Sequence, residues 1–305
     1  MSALLQRLGW SLVVLVGVSA LTFSLAFVIP SDPARTVAGP KADAQTLDTI
    51  RRELGLDQPI VVQYVRYLGR LVRGDLGRSY LTRQRVLDAI WERLPATASL
   101  AAASLLLSVV AGVVFGLVTA LRRGSAVDLG VLVGSLLALS LPVFWVGMAF
   151  LYVFAFRLRW LPLGGFGLAN IILPAATLAL GQGAYYARVL HGNLAEVLGA
   201  DYIRTARAKG VPPHRIYLKH ALRNALLPLV TLLGLDFAGL MSGVVLTETV
   251  FNWPGLGRLA VEGVFNQDIP VIMGTVLFGA LLVVAANVAV DGLYLLVDPR
   301  VRHRQ

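Results

Sequence analysis

Five stretches of this 305-residue chain run for at least 22 positions without a charged side chain: Leu8–Ser31, Leu94–Leu121, Leu129–Phe156, Trp160–Ala187 and Ile269–Val290. A helix needs about 20 apolar residues to cross the hydrocarbon of a bilayer. A sixth stretch, Asn224–Thr247, is interrupted only by Asp236. Within Trp160–Ala187 the segment LPLGGFGLAN is dense in Gly and Pro and reads as a loop, so that helix starts near Ile171. The fold class that follows is all-α and polytopic, with six transmembrane helices. Composition agrees: only 14% of residues are charged and the mean hydropathy is +0.73, whereas a soluble domain carries about 25% charged residues.

Six spans place both termini on one side. With the N-terminus inside, the inner segments 1–9, 122–128, 188–225 and 298–305 hold 13 Lys or Arg, against three in the short outer loops (Arg157, Arg159 and Arg258). That asymmetry predicts cytoplasmic termini. The net charge of +10 is then read as basic loops on an anionic leaflet rather than as a nucleic-acid surface. The first run is longer than a signal-peptide core and leads into VIPSDPAR without a small-x-small pattern. It reads as a retained helix, a cleaved signal being the alternative.

Residues 31–93 form an extracytoplasmic insert with 11 basic and 8 acidic side chains. Apolar residues at Ile50 and Leu54, then at Ile60, Tyr64, Tyr67, Leu68 and Leu71, have helical spacing, with turn-like breaks at LGLDQP and RGDLGRS. VLDAIWERL places Val86, Ile90 and Leu94 on one face of a short amphipathic helix suited to the membrane surface. The insert either caps the helix ends or contacts a ligand. The chain therefore divides into 1–30, 31–93 and a five-helix core, 94–305, that includes a cytoplasmic loop at 188–225.

Tests for chemistry come out empty. None of the three lysines (Lys41, Lys209, Lys219) is followed by Ser or Thr, so there is no P-loop. The four histidines lack metal-ligand spacing, no Gly-x-Ser-x-Gly elbow occurs, and there is no cysteine. No enzyme activity is expected of the chain itself. Three Gly-xxx-Gly pairs (Gly112/Gly116, Gly130/Gly134 and Gly239/Gly243) suggest a tightly packed bundle. Two acids fall inside spans, where charge is costly. Asp236 is either a buried hydrogen-bonding group or part of a solute pathway. Asp291, near the inner end of the last helix, is a pathway group or an interfacial partner for arginine.

The basic segment ADYIRTARAKGVPPHRIYLKHALRNALLP lies between two spans. Tyr202, Ala206 and Gly210 recur every four residues and so share a helix face that narrows toward glycine. The two prolines break the helix, and a second helix restarts near His214 with Arg215, Lys219 and Arg223 along one stripe. The stripe could rest on lipid headgroups. A small-residue face asks instead for close contact with another surface.

DYIRTARAKG followed by HALRNALLPLVT resembles the cytoplasmic loop of the dipeptide/oligopeptide/nickel permease family of ABC importers, a variant of the EAA motif. IPSDPARTVAG, LGLDQPIVVQYVRYL, GDLGRSY, FNWPGLGRL and DGLYLLVDPRVR extend the resemblance over nearly the whole chain, in the order of the first of the family's two permeases. Arg204-Thr205-Ala206 stands where Glu-Ala-Ala would be, and Ser31 replaces a usual Gly. The resemblance implies a type I ABC importer permease fold, a sister permease, two ATPase subunits or domains that carry the ATP and Mg, and an extracytoplasmic substrate-binding protein. This chain itself would hold no cofactor. Its ATPase-coupling residues would be Asp201, Tyr202, Arg204, Thr205, Ala206, Arg207, Gly210, His220, Arg223 and Asn224. The solute would be a peptide or a related compound such as a nickel complex. The competing class is a self-sufficient ion-coupled transporter or channel, against which the scarcity of intramembrane acids and the lack of obvious inverted repeats both speak.

Overall fold

The computed structural model describes residues 2–28, 33–39, 42–241 and 244–297. Among these residues there is no sheet, only a lone antiparallel bridge between Arg78 and Arg85. Helix α1 covers Ser2–Val28, α2 Pro33–Ala38, α3 Ala44–Leu54, α4 Ile60–Val72 and α5 Val86–Leu121. Then follow α6 (Ala126–Ser140) and α7 (Val143–Arg157), α8 (Ile172–Gly199) and α9 (Asp201–Ala208), and α10 (Pro213–Ala225) and α11 (Leu227–Met241). The last helices are α12 (Val245–Val250), α13 (Leu256–Phe265) and α14 (Ile269–Val297).

Several boundaries differ from those expected. The run Leu129–Phe156 is not one rod: α6 and α7 meet at 102°. Pro142 cannot donate to a helix and excludes helical geometry from the residue before it, and Leu141 is accordingly extended (φ −81, ψ 133). The run Asn224–Thr247 is likewise divided. A 41° bend separates α10 from α11 just before Pro228, α11 ends at Met241, and Val245–Val250 is a helix of its own. VLDAIWERL is no separate surface helix but the first part of α5, which continues through Pro95. The boundary drawn at residue 94 therefore lies inside a helix. Similarly, α8 extends past Arg188 to Gly199, so the first dozen residues assigned to the 188–225 loop are helical.

Among the described residues, Val86–Leu121 and Ile269–Val288 are each long and apolar enough to cross a membrane alone, and the two bent pairs are so if each counts as one span. Gly9–Leu25 is a shorter apolar helix. In α8 the apolar run is diluted by Gln182, Tyr185, Tyr186 and Arg188.

The pairing of α5 with α8 is the most extensive helix contact, and glycine permits it. A Cβ at Gly112 would collide with the Cβ of Tyr186, and one at Gly116 would stand 2.9 Å from that of Leu190. From the other side, Gly183 faces Ala111 and Ser108. The remaining expected pairs do not pack in this way. Gly130, Gly134 and Gly239 have nothing within 4 Å of a built Cβ, and Gly243 lies outside the described residues. Gly112→Val is therefore expected to destabilise the chain by about 1–3 kcal/mol through overpacking. Gly130→Val should leave the thermal unfolding midpoint of the detergent-solubilised chain nearly unchanged.

The insert folds onto the end of α1 and the start of α14. Tyr64, Tyr67 and Leu71 of α4 lie on one face and pack against Phe23 of α1 and Ile269 and Met273 of α14. The Tyr64 ring lies 5.1 Å from that of Phe23, and its hydroxyl is 3.0 Å from Ser19 Oγ. Burial pushes the Tyr67 phenol up to about 12, so it stays neutral. Ser79 of the GDLGRSY turn donates to the buried carboxylate of Asp268 at 2.5 Å, and the Tyr80 N–H donates to the same group at 3.1 Å. That motif is thus a latch between the insert and the start of α14.

Candidate functional site

The basic segment forms an elbow. α8 ends at Gly199, Ala200 is extended, and α9 begins at Asp201. Ile203 is the one buried side chain of α9, which rests against the segment Ile216–Ala221, wound as a π-helix within α10. Tyr202, Arg204, Thr205 and Arg207 are exposed, and Ala206 is half-buried. The carboxylate of Asp201 lies 3.5 Å from Arg204, an exposed pair of little energetic weight, and Thr205 Oγ1 donates to the Asp201 carbonyl.

Gly210 closes α9 with φ +75, a left-handed conformation that costs a side chain with a Cβ roughly 1–2 kcal/mol. Nothing lies within 4 Å of the Cβ it lacks. Glycine is thus required here by the backbone and not by crowding.

Across the break, Asn224 Nδ2 donates to the Tyr202 hydroxyl at 2.9 Å and to the His220 carbonyl at 3.2 Å. Residues 22 apart in sequence thereby fix the angle between α9 and α10. Arg215, Lys219 and Arg223 are all exposed. The elbow therefore unites Tyr202, His220 and Asn224, and it leaves Arg204, Arg207 and Arg223 exposed.

Asp236 lies apart from the elbow. Gln182 and Tyr186, one turn apart on α8, both donate to its Oδ2, the tyrosine at 2.5 Å. Because Tyr186 also abuts Gly112, one polar contact joins the closely packed α5–α8 pair to α11. Asp291 falls in the last turns of α14, where only the backbone is described.

A further acid, Glu248, was not visible as a candidate in the sequence, where it falls one residue beyond an apolar run. It is fully buried. Thr97 Oγ1 donates to Oε1 at 2.9 Å, and the Arg258 N–H donates to Oε2 at 2.9 Å. Thr97 in turn accepts the Leu256 N–H at 2.8 Å. These are donors of the first turn of α13, which has no side-chain cap of its own. Glu248 and Thr97 cap it from two other helices. The glycines of WPGLGRL make room. A Cβ at Gly255 would collide with the carboxylate, and one at Gly257 would meet the Val245 backbone at 2.8 Å. Trp253 completes the joint, its Nε1 donating to the Ala96 carbonyl at 2.9 Å. The clue in the sequence was the pair of glycines two residues apart beside a Trp-Pro.

Residues 112–303 match the binding-protein-dependent transport system inner membrane component family, and residues 1–101 match that system's N-terminal membrane component. The chain belongs to this family. It is 44% identical to a peptide transport system permease protein of Brucella abortus (strain 2308) over 98% of both chains. It is 41% identical to the glutathione transport system permease protein GsiC of Escherichia coli K12 over 94% of both. A peptide ABC transporter permease protein of Sinorhizobium fredii is also 41% identical, over 98% of this chain and 99% of that one. The chain is thus a multi-pass membrane permease of an ABC importer, and the family is one of transport subunits rather than enzymes.

Proposed function

We propose that this chain is one of two unlike permease subunits lining the path of an ATP-driven importer for peptides or related solutes. α9 and the Gly210 turn would be the point at which partner ATPases act. Six spans would carry both termini on the cytoplasmic side, each bent pair counting as one span and α1, α5, α8 and α14 as the others. An extracytoplasmic binding protein would deliver the solute, and the ATPases would hold ATP and Mg. The names of the relatives support peptides as the solute class.

The observation that carries the coupling role is the elbow itself. It is a short helix anchored by a single buried isoleucine, stopped by a left-handed glycine, and exposed at Tyr202, Arg204 and Arg207. Nucleotide-driven movement of a body seated there would bias two arrangements of the bundle, which is what coupling requires.

The chain has no cysteine, so Ala206→Cys introduces a unique thiol. In the assembled complex it should be shielded from a membrane-impermeant maleimide applied to inside-out vesicles, and it should become reactive once the peripheral subunits are stripped with urea. A thiol equally reactive before and after stripping, or reactive from the outside of intact cells, would refute the docking. Solo uptake by the purified chain, driven by an ion gradient, would favour the secondary-transporter reading.

A further inference from the structure

The outer insert holds a cavity of about 1320 Å³ whose chemistry no part of the permease function uses. Its floor is apolar: Phe23 from the end of α1, and Ile269, Pro270 and Met273 from the start of α14. Its walls are guanidinium groups drawn from three separate elements. α4 and its C-cap contribute Arg66, Arg70 and Arg73, which recur at helical spacing beside the face that packs on α1 and α14. The turn before α5 adds Arg83 and Arg85, among others. α3 adds Arg51 and Arg52, and Asp48 accepts a hydrogen bond from each of these. Among the described residues two carboxylates, Glu53 and Asp75, line the same space.

Among the described residues no ion pair is formed by Arg66, Arg70, Arg73, Arg83 or Arg85. Like charges gathered from three elements around one concavity repel one another, and they create a field that concentrates anions. Bidentate guanidinium groups suit phosphate in particular.

α4 also shows what kind of anion fits. Between its packed face and its arginine face lies a third face on which Val61, Val65 and Val72 are exposed at 68%, 60% and 88%. A helix with an exposed valine stripe beside a cationic stripe, set on the ends of two apolar helices, has the pattern of an interfacial helix. A freely soluble anion would need the arginines but not the valines or the apolar floor.

We propose that this cavity binds the headgroup of an anionic phospholipid from the outer leaflet, with its phosphate among Arg66, Arg70 and Arg73 and its chains passing along the valine face. The leaflet follows from the topology proposed above. The binding itself does not depend on it.

The test is native mass spectrometry of the detergent-purified chain incubated with phosphatidylglycerol, phosphatidylcholine or inorganic phosphate. The wild type should retain one phosphatidylglycerol in clear preference to phosphatidylcholine. Arg66→Gln/Arg70→Gln/Arg73→Gln should lower that affinity by roughly a hundredfold, at about a factor of five per charge. The corresponding triple lysine variant, which keeps the charge, should lose much less. Arg122→Gln/Arg123→Gln, at the other end of α5, should bind as the wild type does. Unfolding midpoints of all variants, measured alongside, separate lost binding from lost folding. Equal retention by the glutamine variant and the wild type, or indifference to lipid charge, would overturn the proposal. So would displacement of the lipid by millimolar inorganic phosphate, since that would make a soluble anion the ligand. A glutamine variant that keeps its lipid but no longer binds the extracytoplasmic binding protein would assign the arginines to that protein instead. The accessibility of the Ala206→Cys thiol is read on the opposite end of the molecule, so this proposal and the coupling role can fail separately.

Discussion

Replacing Gly210 with valine is expected to reduce solute uptake by roughly tenfold or more while the chain still inserts and assembles. The glycine sits at φ +75 with nothing within 4 Å of an added Cβ, so crowding at the Cβ is not what a substitution meets. What it meets is the left-handed backbone, which disfavours a β-branched side chain by about 2 kcal/mol, equivalent to roughly 30-fold in the population holding the native turn. The turn sets where α9 points relative to α10, and that direction is what a partner ATPase would read. Reconstituted complexes should accordingly lose the stimulation of ATP hydrolysis by the loaded binding protein. The fingerprint is a series. Asparagine tolerates the left-handed region, so Gly210→Asn should retain most activity, Gly210→Ala less, and Gly210→Val least. If uptake instead followed side-chain volume, with asparagine worse than alanine, the role of the glycine would be clearance at the docking surface. Normal uptake by the valine variant would remove the elbow from the mechanism.

The second large effect belongs to Glu248. Truncation to alanine strips the Thr97 hydroxyl and the first-turn amide of Arg258 of their acceptor in a fully buried site. Each orphaned donor costs about 1–3 kcal/mol, and the vacated volume adds to this, so a loss of about 3–5 kcal/mol is expected. The thermal unfolding midpoint of the solubilised chain should fall by roughly 5–8 °C. Glutamine at this position keeps the volume and one acceptor and should cost less than half as much. A double-mutant cycle makes the argument specific. Gly255→Ala drives a methyl group into the Glu248 carboxylate and should be destabilising alone, yet nearly neutral once Glu248 is replaced by alanine, because the space is then empty. Additive losses would show that Gly255 is required for some reason other than the carboxylate.

The elbow was legible in the chain because its signals are local. A helix-spaced small face, a glycine and two prolines act within a dozen residues, and Gly210 and the restart at Pro213 stand where that pattern puts them. Asn224 was marked only through the resemblance of its motif. Its partner, the Tyr202 hydroxyl, became known only when two helices folded back on each other. Glu248 shows the limit more sharply. In the sequence it is a lone acid beside an apolar run. Its caps, its glycine-lined socket and its tie to Thr97, 151 residues away, exist only in the assembled bundle. The three Gly-xxx-Gly pairs were indistinguishable as strings, and among the described residues only Gly112/Gly116 meets a neighbouring helix within the chain.

Hydrophobic length and the distribution of charge were sufficient to establish a helical membrane chain, because a bilayer forces backbone groups into local hydrogen bonds and excludes charge one residue at a time. Such constraints are additive along the chain and need no knowledge of neighbours. Where the apolar runs bend, which glycines touch a partner, which acid caps a distant helix and which arginines surround one cavity depend on contacts between residues far apart in sequence. Those contacts were decided by packing, and packing is a property of the folded bundle alone.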